Sequence, residues 1–592
     1  KTEGVPLYVE ELTDSVIKSG LLLEEPHAFR LKTALKDFPI PDSLQALLTE
    51  RIDRLGLAKE MAQIGAALGR EFTYELLREL VDVAEPELEQ ALQVLCASGL
   101  IMQEGESPVA KYVFRHALIQ DAAYGILPKA ARRTLHVRIA QTLESKFAER
   151  TAREPELLAH HHEQAGLIGP AIKYSALAAR RAAERSANVE ALLYFDKALD
   201  LLAQMPLAPT RKALELDLLI ARGRTMIAFK GYAADDVERN FLRAKELSQE
   251  NPDSVHHFVT MSSLWSFHLV RGPLVTARDM ADDLFAWAQR HPDPEVLVRA
   301  HSNVGLTASF LGKLVEARTH LRTVITQHDS PKMPYSQEIG ITGRTILART
   351  LWILGEVDQV EGLVQDAIEM ARKLAHPFTL AFTLTAASWV YATLRDTAQT
   401  LRLADEAIAV SRKYSFEVPL AWATSCQGWA MFDMGSEEGL AKLLNGIAAA
   451  REAKVSLSHT QALAMLADVY LRKRHIDEGL GVIEEALALV HALGEACWHA
   501  ELLRLKGELF LAQSDHLMAA AEQCFLEAME IAQGQHAMML ELRAATSLAR
   551  LLKKQNKPDL AQRTLSSVYS RLEKSGANPD LTDARALLES LS

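Results

Sequence analysis

The stretch AASWVYATLRDTAQTLRLADEAIAV, residues 386–410, decides the fold. It reads as a helical run carrying Trp389, a polar breaker at Arg395, and a second, Ala-rich helical run carrying Ala407. The same phrase recurs on both sides of it. Breakers stand at Gly231, Gly272, Gly312, Gly355, Arg395, Gly435, His475, Asp515 and Asn556, a step of about 40 residues, which is the period of a helix-pair solenoid. One such unit has too little apolar surface to fold alone and stacks on its neighbours, leaving a long curved surface whose usual use is binding rather than catalysis.

Small residues recur where paired helices must approach, at Ala277, Ala317, Ala367, Ala407, Ala486 and Ala528. Large ones, Trp265, Trp352, Trp389, Trp429 and Tyr470, precede the breakers by a few residues. Aromatic stripes at such intervals are expected to be inter-helix core rather than a cofactor box.

Composition agrees with a helix-rich folded chain. Apolar residues make up 48% and charged residues 24% of the 592, with 21 prolines, and no tract has the composition of a disordered segment. A net charge of −12 argues against a nucleic-acid coat, which needs a basic footprint, so nucleic acid is not an expected partner. The four cysteines, Cys96, Cys426, Cys497 and Cys524, are far apart with no C-x-x-C. That excludes a zinc knuckle or a disulfide framework and fits a reducing cytoplasm. No run of 18 apolar residues indicates a membrane span. The chain begins at Lys1 rather than Met, and is expected to be the C-terminal part of a longer polypeptide.

Ahead of the repeats the pattern changes. Residues 1–38 predict one amphipathic helix, Leu7 to Gly20, then a polar connector closed by Pro39-Ile40-Pro41, which cannot continue a helix. From Asp42, a candidate N-cap, apolar residues from Leu44 to Ile64 keep helical spacing with a break at Gly56. Two shorter helices, Tyr74 to Val81 and Pro86 to Ser98, lead to a β-hairpin built from Leu100-Ile101-Met102, a turn over Glu104 to Pro108, and Tyr112-Val113-Phe114. Helices followed by a two-stranded wing give the winged-helix order. The helix that would enter a DNA groove carries Glu85, Glu87 and Glu89 and no Lys or Arg, so the module is expected to be structural or regulatory rather than DNA-binding. The first repeat pairs, Leu157 to Ala182 and Asn188 to Gln204, are shorter and less regular than the rest, as at the capping end of a solenoid. The expected organisation is therefore residues 1–40, a helical segment; 41–150, a winged-helix domain and following helix; and 151–592, the repeats. The fold class is mainly α: a small winged helix, then a long right-handed α-solenoid of tetratricopeptide-like pairs.

Motifs for chemistry are mostly lacking. Gly312-Lys313 is followed by Leu314, and Thr307 stands where a Walker A loop needs its first Gly, so the amides and hydroxyl that hold phosphate and magnesium are missing. Gly479-Leu480-Gly481 has Glu484 where a dinucleotide fingerprint needs its third Gly and no preceding strand. His160, His161 and His162 point about 100° apart on a helix and cannot close one metal site. No catalytic residue and no metal ligand is assigned, and the chain is not expected to be an enzyme.

Two motifs flank the winged helix. Gly4-Val5-Pro6-Leu7-Tyr8-Val9-Glu10-Glu11-Leu12 resembles the G-x-P segment in the helical lid of STAND-class signalling NTPases, and Phe114-Arg115-His116-Ala117-Leu118 with the residues to Tyr124 resembles the element after their wing. Ile64-Gly65-Ala66-Ala67-Leu68-Gly69-Arg70-Glu71-Phe72 between them is similar to that family too. The repeats, including Ala500 to Leu509 and Leu542 to Arg550, resemble the tetratricopeptide-like tail of bacterial proteins that join a class III adenylate/guanylate cyclase domain to such an NTPase.

The resemblance implies that residues 1–40 are a remnant of the NTPase lid. It implies that Pro6 lies against a nucleotide, and that His116 reaches an ADP phosphate as the histidine of the motif often written M-H-D. Phe114 and Ala117 depart from that motif. An imidazole N–H can hydrogen-bond a phosphate oxygen, and the contact is sensitive to nucleotide state. The cofactor implied is ATP or ADP with Mg in the parent protein, held by a P-loop this chain lacks. The implied function is regulatory: the repeats bind a protein or small-ligand signal and bias an upstream NTPase and its output domain. Two alternatives stand beside it, the sensor of a STAND-type transcription activator and a repeat scaffold without a switch.

Overall fold

Backbone dihedrals in the computed structural model place a left-handed residue at most of the expected breakers; the structure describes residues 13, 22–25, 28–31, 44–106, 109–291, 293–328, 337–573, 575 and 578–591. Gly231, Gly272, Gly312, Gly355 and Gly435 have φ between 75° and 89°, and Arg395 and Asn556 have φ 58°. Glycine takes this conformation without the Cβ clash that other residues meet, so it ends a helix sharply. At the seventh breaker the left-handed residue is Arg474 (φ 61°) rather than His475. At the eighth the chain makes a 3-10 turn, Asp515–Leu517, which starts where the Ser514 hydroxyl accepts the His516 N–H at 3.2 Å. The helix Leu7 to Gly20 (apart from Thr13, which is helical), the Gly4 to Leu12 motif with Pro6, the Pro39-Ile40-Pro41 boundary and the Asp42 cap lie outside the described residues.

The chain divides into two compact units, residues 1–178 with 197–205, and residues 179–196 with 206–592. The first holds strands β1 (Leu22–Glu25) and β2 (Ala28–Leu31), helices α1 (Leu44–Asp53) and α2 (Leu57–Leu68), β3 (Glu71–Thr73), α3 (Tyr74–Leu80), α4 (Glu85–Ala97), β4 (Ile101–Glu104), β5 (Lys111–Phe114), and α5 (Ala117–Ile126). Helices α6 (Lys129–Lys146), α7 (Ala148–Arg153) and α8 (Pro155–Ala165) follow, and the boundary between units falls within α9 (Ile168–Glu184) and α10 (Asn188–Ala203).

Two features correct the sequence reading. The connector after residue 20 contains a hairpin, with Leu22 opposite Leu31 and Glu25 opposite Ala28; Leu22, Leu23 and Phe29 supply strand-compatible residues in a stretch dominated by charge. The expected hairpin β4–β5 is present, and β3 joins it in a three-stranded antiparallel sheet of order β3-β5-β4. Three residues are too few for a readable alternation, yet Phe72 anchors the sheet by packing on Tyr112 at 5.7 Å and Phe114 at 5.9 Å between ring centroids. The pair expected over 157–182 is present as α8 and α9, separated where Gly166 takes the left-handed conformation that ends α8, whereas 188–204, expected as a second pair, forms the single helix α10.

The second unit is made of helix pairs. First helices are α11 (Pro209–Lys230), α13 (Val255–Arg271), α15 (Pro294–Phe310), α17 (Gln337–Leu354), α19 (Pro377–Thr393), α21 (Glu417–Asp433), α23 (His459–Lys473), α25 (His499–Gln513) and α27 (Met538–Lys554). Their partners are α12 (Asp235–Ser248), α14 (Leu274–Arg290), α16 (Leu314–His328), α18 (Val360–Leu374), α20 (Thr397–Tyr414), α22 (Glu438–Glu452), α24 (Ile476–Leu493), α26 (Met518–Gly534) and α28 (Pro558–Leu572), and α29 (Pro579–Glu589) closes the array.

The two layers differ in sequence for a physical reason. A second helix such as α18 buries one face, Val360, Val364, Ala367, Ile368 and Ala371, and leaves the other to water. The central first helices are buried more completely. In α19 every residue from Ala387 to Thr393 is buried, because these helices are sandwiched between the outer layer and their counterparts one superhelical turn away.

That second contact is the feature the repeat pattern did not reveal. The Val270 carbonyl, in the last turn of α13, accepts the N–H groups of Ser456 and Leu457 at 2.9 and 3.0 Å. The Phe310 carbonyl, ending α15, accepts those of Ala496 and Cys497 at 3.0 and 3.2 Å. Arg395, after α19, pairs with Asp580 at 3.0 Å and Asp583 at 3.1 Å. The first helices α13 and α15 thus end on the segment that opens the first helix five pairs later, and the turn after α19 meets α29. The last carbonyls of a helix lack intrahelical donors, and here the next turn supplies them. The expected long curved surface is therefore partly covered by the protein's own next turn, and a partly enclosed interior remains.

Candidate functional site

The interior opens into a cavity of about 170 Å³ within the repeat unit. Its walls are the inner faces of α13, α15, α17, α19 and α21, with the Leu457–Ser458 turn and Gln461 of α23. Trp265, Phe310, Phe382, Trp389 and Trp422 make it aromatic. Trp265 and Trp389, read from sequence as inter-helix core, are buried to 6% exposure and also line this space. Trp429, buried too, lines a neighbouring one, so the stripe is core on one side and cavity wall on the other. The indoles are held in place from behind. Trp265 Nε1–H donates to Thr307 Oγ1 at 3.0 Å, and that hydroxyl donates to the Asn303 carbonyl at 2.8 Å.

Arg349 of α17 brings a cation into the apolar space at 5% exposure. One Nη donates to the Ser309 hydroxyl at 3.0 Å, and the guanidinium lies 4.0 Å from the centroid of the Phe310 ring. Its Nε is buried without a hydrogen-bond partner. Burial pulls its pKa down, while Cys497 and Glu495 pull it back up. Glu495 is itself engaged elsewhere: its carboxylate accepts the N–H groups of Ser458 at 2.6 Å and Thr460 at 3.1 Å, capping α23, and burial pushes its carboxyl up. The charged residue at the other end is Glu338, which accepts the Thr379 hydroxyl at 3.2 Å and faces His376 at 3.4 Å.

A second space of about 100 Å³ adjoins through the shared Gln461 and is of opposite character. Arg504 grips Glu501 with two bonds, 2.9 and 2.8 Å. Arg543 stands 3.5 Å from Glu501 and 2.9 Å from Asp580, over the Trp352 ring at 4.7 Å. Burial alone would raise the Glu501 carboxyl, but Arg504 and Arg543 hold it at about 2. These charges are mutually paired and join α25, α27 and α29, so they act as a structural clasp.

The residues singled out from sequence lie elsewhere. His116 occupies the N-cap position of α5 at φ −134°, half-buried, and its side chain does not make a capping bond; its carbonyl accepts the Ile119 N–H at 3.0 Å. Pro6 lies outside the described residues. The three histidines diverge: His161 Nδ1 lies 2.9 Å from His136 Nδ1, while His162 stacks on Tyr174 and reaches Glu144 at 3.2 Å. No cluster of potential metal ligands occurs among the described residues. On α4, Glu85, Glu87 and Glu89 are all exposed.

Arg349 and Trp422 went unnoticed in the sequence. Arg349 carried a signal: it interrupts the apolar run Ile346-Leu347-Ala348 and Leu351-Trp352-Ile353-Leu354, and a charge inside a helix buried on all sides is costly unless it has a task.

No protein-family model matches the chain. It is 26% identical over 563 residues to an uncharacterised protein of Rhizobium meliloti (strain 1021), a match covering 93% of this chain and 53% of the relative, so the chain spans about half the length of that curated protein. Among solved structures it is similar to a Rap protein complexed with competence and sporulation factor, at 10% identity and a TM-score of 0.46, covering 64% of this chain and 99% of that one. It is also similar to a signal transduction ATPase with numerous domains (STAND) bearing a tetratricopeptide repeat sensor from Pyrococcus horikoshii, at 14% identity and a TM-score of 0.30, covering 94% and 68%. Among the described residues no helix is long and apolar enough to cross a membrane. With its paired helices and 40-residue step, the second unit is an α-solenoid of tetratricopeptide-like repeats.

Proposed function

We propose that this chain is the sensory and regulatory region of a STAND-type signalling protein, in which the repeat interior receives a small ligand and biases a nucleotide switch located upstream. The observation that carries this reading is the enclosed aromatic cavity with a buried, incompletely paired Arg349. Because successive turns of the superhelix close over one another, an occupant of the interior touches several turns at once, and its binding energy acts on the packing between them. The expected long curved surface would have suited a protein or a small ligand; a narrow, partly enclosed interior favours a small molecule.

In the same reading the helices α2 to α4 with the β3-β5-β4 sheet form a winged helix that transmits the signal. His116, half-buried at the start of α5 with its imidazole not used as a cap, is free to donate to a phosphate of ATP or ADP bound, with Mg, by the upstream P-loop. The nucleotide would supply the two-state switch. The parallel resemblance to cyclase-linked STAND proteins makes a nucleotide cyclase the proposed output domain.

The test uses the full-length protein. Filling the cavity with Ala386→Trp and, separately, deleting residues 206–592 should each change the rate of nucleotide exchange. Unchanged exchange in both would remove the regulatory reading and leave a repeat scaffold.

A further inference from the structure

Resting on the reading of the cavity as a ligand site, the chemistry of its ligand follows from how the charges are disposed. Among the described lining residues, Arg349 carries the positive charge and Glu338 the negative one. They lie eleven residues apart on α17, roughly 16 Å along the helix axis at 1.5 Å per residue. Glu338 is engaged with Thr379 and His376. Among the described residues Arg349 has no ion pair: the Ser309 hydroxyl takes one Nη, Phe310 takes the face of the group, and Nε has no acceptor. Glu495, the carboxylate that acts on it through space, caps α23 and does not line the cavity. A guanidinium presents its N–H groups as a planar fork that matches a carboxylate, so what the site lacks is an anion at the Arg349 end.

The size of the space sets the rest. An engineered apolar cavity of about 150 Å³ holds benzene, and here about 170 Å³ is walled by Trp265, Phe310, Phe382, Trp389 and Trp422. One aromatic ring and a short acid arm fit its Arg349 end. A ring of that size cannot also reach Glu338, so a matching ammonium group has no partner.

We propose that the repeat interior binds a small aromatic monocarboxylic acid, its carboxylate on the Arg349 guanidinium and its ring among the Trp265, Trp389 and Trp422 indoles. The carboxylate chemistry would be shared by a peptide ending in phenylalanine, and the space favours the free acid.

The probes are phenylacetate, phenylacetamide and the peptide acid N-acetyl-Gly-Phe, read by quenching of tryptophan fluorescence in the whole chain. Phenylacetate is expected to saturate and to bind at least tenfold tighter than the amide, the range expected for a charge-assisted bond. Arg349→Gln should bring acid and amide to within about twofold of each other. Equal binding of acid and amide by the unaltered protein overturns the role of Arg349 while leaving the cavity a small-ligand site. Failure of all three probes, with Ala386→Trp behaving like the unaltered protein, sinks the cavity reading as well. A response to the peptide acid alone overturns the assignment to a free small acid. Should Arg349→Gln not fold, the acid-to-amide ratio of the unaltered protein still decides.

Discussion

Arg395 and Asp580, 185 positions apart in the chain, meet at 3.0 Å where one superhelical turn rests on the next. Asp580 is 5% exposed, and it also receives Arg543 at 2.9 Å, itself nearly buried. The contact ties the last helix to the end of α19 and keeps the interior closed.

Asp580→Asn should therefore loosen the C-terminal turn. Removing one partner of a buried pair typically costs about 3 kcal/mol because the remaining charge is left in place. The effect here is moderated by Glu501, which still attracts Arg543. Denaturant unfolding should show the loss, and limited proteolysis should release a fragment beginning near α29 before the rest of the chain is cut. Equal stability with an unchanged digest would mean the turns are held by the backbone bonds alone.

Acid should act in two ranges, the upper one common to both units because burial also lowers His301 and His459 of the repeat unit to about 4. In the first unit, burial lowers His136 to about 4 and His161 to about 3. The unfolded chain takes up protons below about pH 6.5, whereas the folded unit does not until pH falls well below that, so stability declines as pH drops from 6.5 toward 4. His161→Gln should flatten that slope. In the repeat unit the depressed Glu501 carboxyl contributes stability above about pH 4.5 that is lost as pH falls toward 2, on the order of 3 kcal/mol. Glu501→Gln should remove that dependence. Thermal melts across pH 2 to 8, followed separately for each unit by hydrogen exchange, would show both windows.

Glycines in helices should divide sharply by what faces them. A Cβ on Gly428 of α21 would lie 2.2 Å from the Leu443 nitrogen and 2.7 Å from the Gly439 oxygen, both backbone atoms of α22. Backbone cannot move aside as a side-chain tip can, so Gly428→Ala should cost about 3 kcal/mol or more. Gly481 of α24 faces open space, and Gly481→Ala should stabilise by roughly 1 kcal/mol through helix propensity. Paired melting curves would check both signs.

Thiol reactivity should follow burial. Cys426 and Cys497 are fully buried, and burial pushes both thiols up to about 12. A thiol reagent at pH 8 should modify half-buried Cys96 first and reach Cys426 and Cys497 only after unfolding. Mass spectrometry of the labelled peptides gives the order, and early labelling at Cys497 would mean that the contact with Phe310 opens readily.

The repeat architecture was legible because it depends on local chemistry. A left-handed glycine at Gly272 or Gly355, an alanine face on α18 and the helical spacing of apolar residues all act within one pair of helices, and a linear pattern records them. The hairpin was readable for the same reason at β4 and β5, whereas β3 was too short to show a period. His116 was placed at the start of α5 by its neighbours in sequence.

The closure of the superhelix was not legible, since the bond from Ser456 to Val270 joins residues whose relation depends on small rotations summed over five helix pairs. No single pair carries that sum. By itself the amino-acid sequence determined that helices form, where they turn and that they pair. Tertiary packing alone decided that the turns meet, that Trp265, Trp389 and Arg349 face one cavity, and that Arg349 stands there with its Nε unpaired, because long-range geometry accumulates from every intervening contact.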